Sequence, residues 1–146
     1  MRTWPNLVQK DYEMIAIHLD PFPSNDELNS LWAEAWGDTD ERDFGKVLER
    51  SLAHVGAYDG QRLVGFVNVA SDGGLHAFIL DTCVRPTMRR KGIATMLVKE
   101  ATNAARDRGA MWLHVDFEAH LASFYRGCGF ESTDAGLLRL GKSNSL

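Results

Sequence analysis

Cysteine is scarce in this chain of 146 residues, with only Cys83 and Cys128 present. Two thiols suggest neither a disulfide framework nor a cysteine-based metal site. Long apolar runs are missing as well. Nothing approaches the roughly eighteen consecutive apolar residues of a membrane-crossing helix. The opening residues, Met1-Arg2-Thr3-Trp4-Pro5, lack the apolar stretch of a secretory signal, which predicts a cytoplasmic protein. An excess of positive charge is absent too. Sixteen basic residues against twenty acidic ones leave a formal charge of -4, which argues against broad nucleic-acid binding. What remains, 45% hydrophobic and 25% charged residues, is ordinary globular composition, and residues 1–146 are read as a single domain.

The periodicities predict alternating strands and helices. Ile15, Ile17 and Leu19 alternate with Ala16 and His18 as a half-buried strand, ended by Pro21 and Pro23. Ser24 or Asn25 can cap the next helix, with Glu27 placed to complete a capping box. Leu28, Leu31, Trp32 and Ala35 recur at helical spacing until Gly37-Asp38. A second helix is expected over 41–53, with Phe44, Val47, Leu48 and Leu52 along one side. A meander follows: strands over 55–58, 63–70 and 75–84, separated by Asp59-Gly60 and Ser71-Asp72-Gly73-Gly74. A helix from 92 to 108 carries the stripe Ile93, Met96, Leu97, Ala101, Ala104 and Ala105. Its crossover should lay a strand over 111–115 parallel to 75–84. A short helix over 120–128 and a last strand containing 136–140 complete the order.

The informative segment lies between the third meander strand and the long helix. After Val84-Arg85-Pro86 come Arg89-Arg90-Lys91-Gly92-Ile93-Ala94. Amides at a helix start have no intrahelical acceptor, so an anion there gains hydrogen bonds and the favourable helix dipole. Gly92 permits close approach. The spaced glycines of a dinucleotide fingerprint are missing, and so is the Gly-Lys-Ser/Thr of a P-loop. The residues alone fit either a metal-free pyrophosphate site or a plain basic surface loop.

This segment resembles the acetyl-CoA signature of the GNAT family of N-acetyltransferases, Gln/Arg-x-x-Gly-x-Gly/Ala. The likeness extends from Val55 to Leu140, through the element order and the pairs Phe124-Tyr125 and Gly129-Phe130. The fold it implies is α/β, with a mixed, mostly antiparallel central sheet, splayed parallel strands and flanking helices. It implies acetyl transfer from acetyl-CoA directly to an amine on a small molecule or a peptide. The backbone of Arg89, Arg90, Lys91, Gly92, Ile93 and Ala94 would bind the pyrophosphate. Main-chain groups near Cys83 and Val84 would pair with the pantetheine arm where the parallel strands part.

On the same resemblance Tyr125 would protonate the leaving thiolate; the alternative is a structural aromatic. Asp81 and His76 are the candidate bases on the central strand. Five positions apart, they face opposite ways on a regular strand, unless a bulge intervenes. Asp81 is favoured because it shares parity with Cys83 and lies nearer the loop. Both cysteines are read as small hydrophobes rather than nucleophiles. Trp32, Trp36 and Phe44 fit either core packing or a substrate wall, with Trp36 the best exposed candidate. His114, Asp116 and His120 would suit zinc or iron, but the family chemistry needs no metal and none is expected. No membrane or nucleic-acid partner is expected either, and a homodimer stays open. A non-catalytic acyl-CoA sensor or a partner-binding domain is the alternative to the enzyme.

Overall fold

The computed structural model describes residues 15–141. The chain separates into two compact units, residues 1–115 and residues 116–146. In the first unit the order is β1 (Ile15–Leu19), α1 (Asn25–Trp36), α2 (Gly45–Arg50), β2 (Ala53–Asp59), β3 (Arg62–Ser71), β4 (His76–Val84), α3 (Ile93–Asp107) and β5 (Trp112–His114). The five strands lie in sequence order in one sheet. The pairs from β1 to β4 are antiparallel, and β4 with β5 is parallel. This is the mixed, mostly antiparallel sheet that the family resemblance implies. In the second unit α4 (Ala122–Gly127) follows a single 3-10 turn at Ala119–Leu121.

Local chemistry accounts for most of the boundaries. Ser24 caps α1 by accepting the Glu27 amide at 3.1 Å, and Glu27 Oε1 accepts the Ser24 amide at 2.8 Å. Such reciprocal capping contributes about 1 kcal/mol. Gly37 ends α1 in the left-handed region with φ 70, a conformation glycine adopts without a Cβ penalty. The second helix is shorter than the sequence pattern suggests, because side chains of α1 capture the backbone before it. Asn29 bonds both the amide and the carbonyl of Arg42, each at 3.0 Å, and Asn25 accepts the Phe44 amide at 2.9 Å. At its other end Ser51 is extended, and Ala53 already pairs with Val69.

Helices cover both faces of the sheet. Leu28, Leu31 and Trp32 of α1 and Phe44 and Leu48 near α2 form one cluster with Leu63, Phe66 and Cys83. On the other face α3 buries Ile93, Leu97, Val98, Ala101, Ala104 and Ala105. It packs so closely that a Cβ on Gly65 would lie 3.0 Å from Leu97 Cδ1 and 3.3 Å from the Cys83 carbonyl oxygen. Each large side chain fully buried this way contributes roughly 1.5–3 kcal/mol.

The β1–α1 connection is fastened from beneath. Buried His54 accepts the Phe22 amide on Nε2 at 2.9 Å, and Asp20 Oδ2 pairs with Arg108 at 2.8 Å. Burial holds the His54 imidazole below its usual proton affinity, so it stands ready as a neutral acceptor.

The expected last strand does not form. Residues 130–140 are irregular and largely exposed, with Leu137 and Leu140 reaching 88% and 91% exposure. Its leucines could supply an apolar face, but a strand also needs a ladder partner, and none engages it among the described residues. Among those residues no helix is long and apolar enough to cross a membrane.

Candidate functional site

The segment between β4 and α3 is built from alternating backbone conformations. Pro86–Met88 makes one 3-10 turn, after which Arg89 is extended at φ -72, ψ 162. Arg90 and Gly92 both enter the left-handed region, at φ 65 and φ 78. Two left-handed residues in close succession turn the chain sharply just ahead of the helix start, whose free amides suit an anion. Met96 donates to the Gly92 carbonyl at 3.1 Å, leaving the amides of Ile93, Ala94 and Thr95 outside the helical ladder. No atom lies within 4 Å of a Cβ built on Gly92. The cradle is therefore open at its glycine, and the N-terminal end of the α3 dipole faces it.

The side chains divide the work differently. Arg90 and Lys91 are exposed, while Ile93 is buried and anchors the start of α3 in the core. Arg89 turns back: its Nε donates to the Val84 carbonyl at 3.2 Å and its Nη2 to the Ala35 carbonyl at 3.3 Å. Its guanidinium braces the loop from behind.

Beside this cradle the sheet opens. The parallel pairing joins His76 to Trp112, Ala77 to Leu113 and Phe78 to His114, and goes no further. From Ile79 to Val84, β4 continues beyond it. The Arg85 amide donates to the Val64 carbonyl of β3 at 2.8 Å, so alternation turns the Val84 amide to the opposite edge, where β5 has ended. The same alternation directs the main chain of Cys83 toward β3. These open edge groups and the amides of the loop are the features an extended pantetheine arm and a diphosphate require, so the residues present fit acetyl-CoA.

A bulge sits at the parting point. Phe66 opposes Cys83 and Asn68 opposes Leu80, so β4 carries one extra residue in Asp81-Thr82. Asp81 takes a left-handed conformation with φ 60. The parity count that places His76 and Asp81 on opposite faces does not survive this insertion. The two are still far apart along β4, roughly 16 Å by strand rise. His76 instead meets β5, with its Nδ1 2.8 Å from His114 Nε2. Asp81 is exposed, yet the protein packed on one side of it raises its proton affinity, an effect that the Arg42 charge partly offsets.

Cys83 is buried, and that burial together with the neighbouring Asp81 charge pushes its thiol well above the ordinary range. Cys128 is shifted the same way by burial. Neither has the environment of a reactive thiolate. Trp32 is buried against Phe44 at a 4.9 Å ring separation, whereas Trp36 is 48% exposed. In the second unit Tyr125 is buried, stacked on Phe117 at 4.8 Å and edge-on to Phe124 at 4.9 Å. Among the described residues no three histidine, cysteine, aspartate or glutamate side chains are grouped to hold a metal ion.

The acetyltransferase (GNAT) family model matches residues 12–130. The chain belongs to the GNAT acetyltransferase family. Solved structures place the fold in the same group. A GNAT-family acetyltransferase of Streptococcus pneumoniae is 27% identical, with 89% of this chain and 100% of that one covered and a TM-score of 0.72. Glucosamine-6-phosphate N-acetyltransferase of Arabidopsis thaliana is 13% identical, with 88% and 99% covered and a TM-score of 0.70. The aminoglycoside N-acetyltransferase AAC(6')-Iy, solved with CoA, is 16% identical, with 88% and 95% covered and a TM-score of 0.68. No curated protein matches the chain.

Two features of this GNAT protein's site escape sequence reasoning. Arg42, in the α1–α2 connection, acts electrostatically on Asp81, and its Nη1 is buried without a hydrogen-bond partner. Arg85 is buried and reaches Ser30, 55 residues earlier. Nothing in the run Asp38-Thr39-Asp40-Glu41-Arg42-Asp43 singles out Arg42, and only the folded structure shows which of these charges acts on Asp81.

Proposed function

We propose that this protein is an N-acetyltransferase that transfers an acetyl group from acetyl-CoA directly to an amine on a small molecule or a peptide. The observation that supports this best is Asp81, a bulged carboxyl of raised proton affinity where β4 outruns β5 and approaches the amide cradle. Acetyl-CoA supplies the reactive thioester. The main chain from Arg89 to Ala94 holds the diphosphate, and the Val84 amide aligns the pantetheine arm. Asp81 takes the proton from the attacking amine, directly or through one water. A carboxylate of raised affinity is a stronger base than an ordinary one, and the Arg42 charge helps keep it ionised. Much of the acceleration then comes from holding the amine against the thioester carbonyl.

Tyr125 takes the part of the acid, donating its phenolic proton to the departing sulfur, as the family resemblance implies. Tyr125→Phe should keep the aromatic packing with Phe117 and Phe124. We expect kcat to fall roughly 10²-fold with CoA affinity nearly unchanged. An unaltered rate across pH would remove Tyr125 as the required acid.

The deciding experiment is a panel of amines incubated with acetyl-CoA and followed by free-thiol release and product mass. Amine-dependent thiol release with a product heavier by one acetyl group supports the proposal. Tight CoA binding without transfer to any amine would instead indicate a sensor.

A further inference from the structure

The loop that cradles the diphosphate is attached to α1 by two arginines. Arg85 stands between the last residue of β4 and Pro86, and its side chain is only 4% exposed. Its Nε donates to the Leu63 carbonyl at 2.7 Å, its Nη2 to Ser30 Oγ at 3.3 Å, and its Nη1 lies 2.7 Å from Glu34 Oε2. That last contact is close but poorly aligned for a hydrogen bond, so its character is ionic. One turn later Arg89 reaches the Ala35 carbonyl, beside Glu34 on the same helix. Ser30, Glu34 and Ala35 thus hold both ends of the turn that leads into the amide cradle.

Among the described residues Glu34 is the carboxylate in ion-pair contact with the buried cation. Its own side chain is 43% exposed and also meets Arg62 at 3.2 Å. A buried guanidinium without its counter-charge is strongly unfavourable, so Arg85 must move when that carboxylate is lost or displaced. Movement of Arg85 is movement of the loop's first residue.

We infer that Glu34, on α1, is a positioning residue for the cofactor loop and acts through Arg85. The inference rests on residues 89–94 being a diphosphate site. Its consequence is mechanical: α1 and the loop shift together, so a ligand that displaces α1 alters cofactor affinity without touching the cofactor.

The test is Glu34→Gln, which keeps the shape and removes the charge. CoA affinity should weaken roughly five- to tenfold, while kcat at saturating acetyl-CoA stays within about a factor of two. Amides 89–95 should exchange hydrogen faster, with those of β2 and β3 unchanged. Arg62→Gln, which removes only the exposed partner, should leave CoA affinity alone; an equal loss there would reduce the effect to surface charge and overturn the inference. A folded Glu34→Gln protein with wild-type affinity would overturn it as well. If that variant fails to fold, Glu34→Gln combined with Arg85→Met removes the stranded cation. Affinity that stays weak in the refolded double variant supports positioning, and affinity that returns with stability overturns it. Should the wild type bind no CoA, the proposed function falls, and exchange at 89–95 alone decides the clamp.

Discussion

Asparagine in place of Asp81 should reduce kcat by roughly 10²- to 10⁴-fold, the usual contribution of a positioned base, while making the protein more resistant to heat at pH 7. Both effects have one origin. The fold raises the Asp81 proton affinity above the ordinary carboxylate value of 3.8, chiefly through burial. The native state therefore binds this proton more tightly than the unfolded chain does. The stability associated with the protonated form is fully present below pH 3.8 and is lost as pH rises through the folded value. At neutral pH the ionised carboxylate costs a little stability, limited by its exposure to solvent and by the favourable Arg42 charge, and an uncharged amide removes that cost. Melting temperatures of both forms across acidic to neutral pH should diverge upward and converge in acid. A variant that retains its rate would remove Asp81 as the base.

Valine at position 92 should abolish most cofactor binding, by roughly 10²-fold or about 2.7 kcal/mol, with only a modest loss of stability. Gly92 has φ 78 and no atom within 4 Å of its missing Cβ. The backbone cost of a side chain there is about 1–2 kcal/mol, with no clash inside the protein to add to it. The new methyl groups would occupy the open side of the cradle instead. Far-ultraviolet circular dichroism should show α3 intact, and a CoA titration should show the loss. Equal affinities would count heavily against the assignment of the loop.

The parts of this architecture legible in the sequence are those written in short-range chemistry. Ser24 and Glu27 sit three residues apart, so their capping box is visible before any fold is known, and the stripe from Ile93 to Ala105 needs only its period. The meander is legible because Asp59-Gly60 and Asp72-Gly73 punctuate it, although β2 and β3 extend further than their apolar runs. The failures share a cause. The helix expected over 41–53 loses its first turn to Asn25 and Asn29, which lie on another helix. The strand expected over 136–140 has its apolar run but, among the described residues, no neighbour to satisfy its backbone. The bulge at Asp81 is a property of the register between β3 and β4, so residue counting along β4 alone misses it. The bond between Arg85 and α1 is equally non-local.

The parallel seam between β4 and β5, three residues on each strand, has a consequence for the order of assembly. Strands β1 to β4 are neighbours in sequence as well as in the sheet, and chains close such short-range pairs early. β5 joins only after the whole of α3 has crossed the sheet, with little pairing to reward its arrival. It should dock late on the folding route, and conservative substitutions at Leu113 should accelerate unfolding while leaving the refolding rate nearly untouched. Stopped-flow refolding that slows with such substitutions would contradict this order. The notch beside the cradle would then be the last piece of the molecule to take shape.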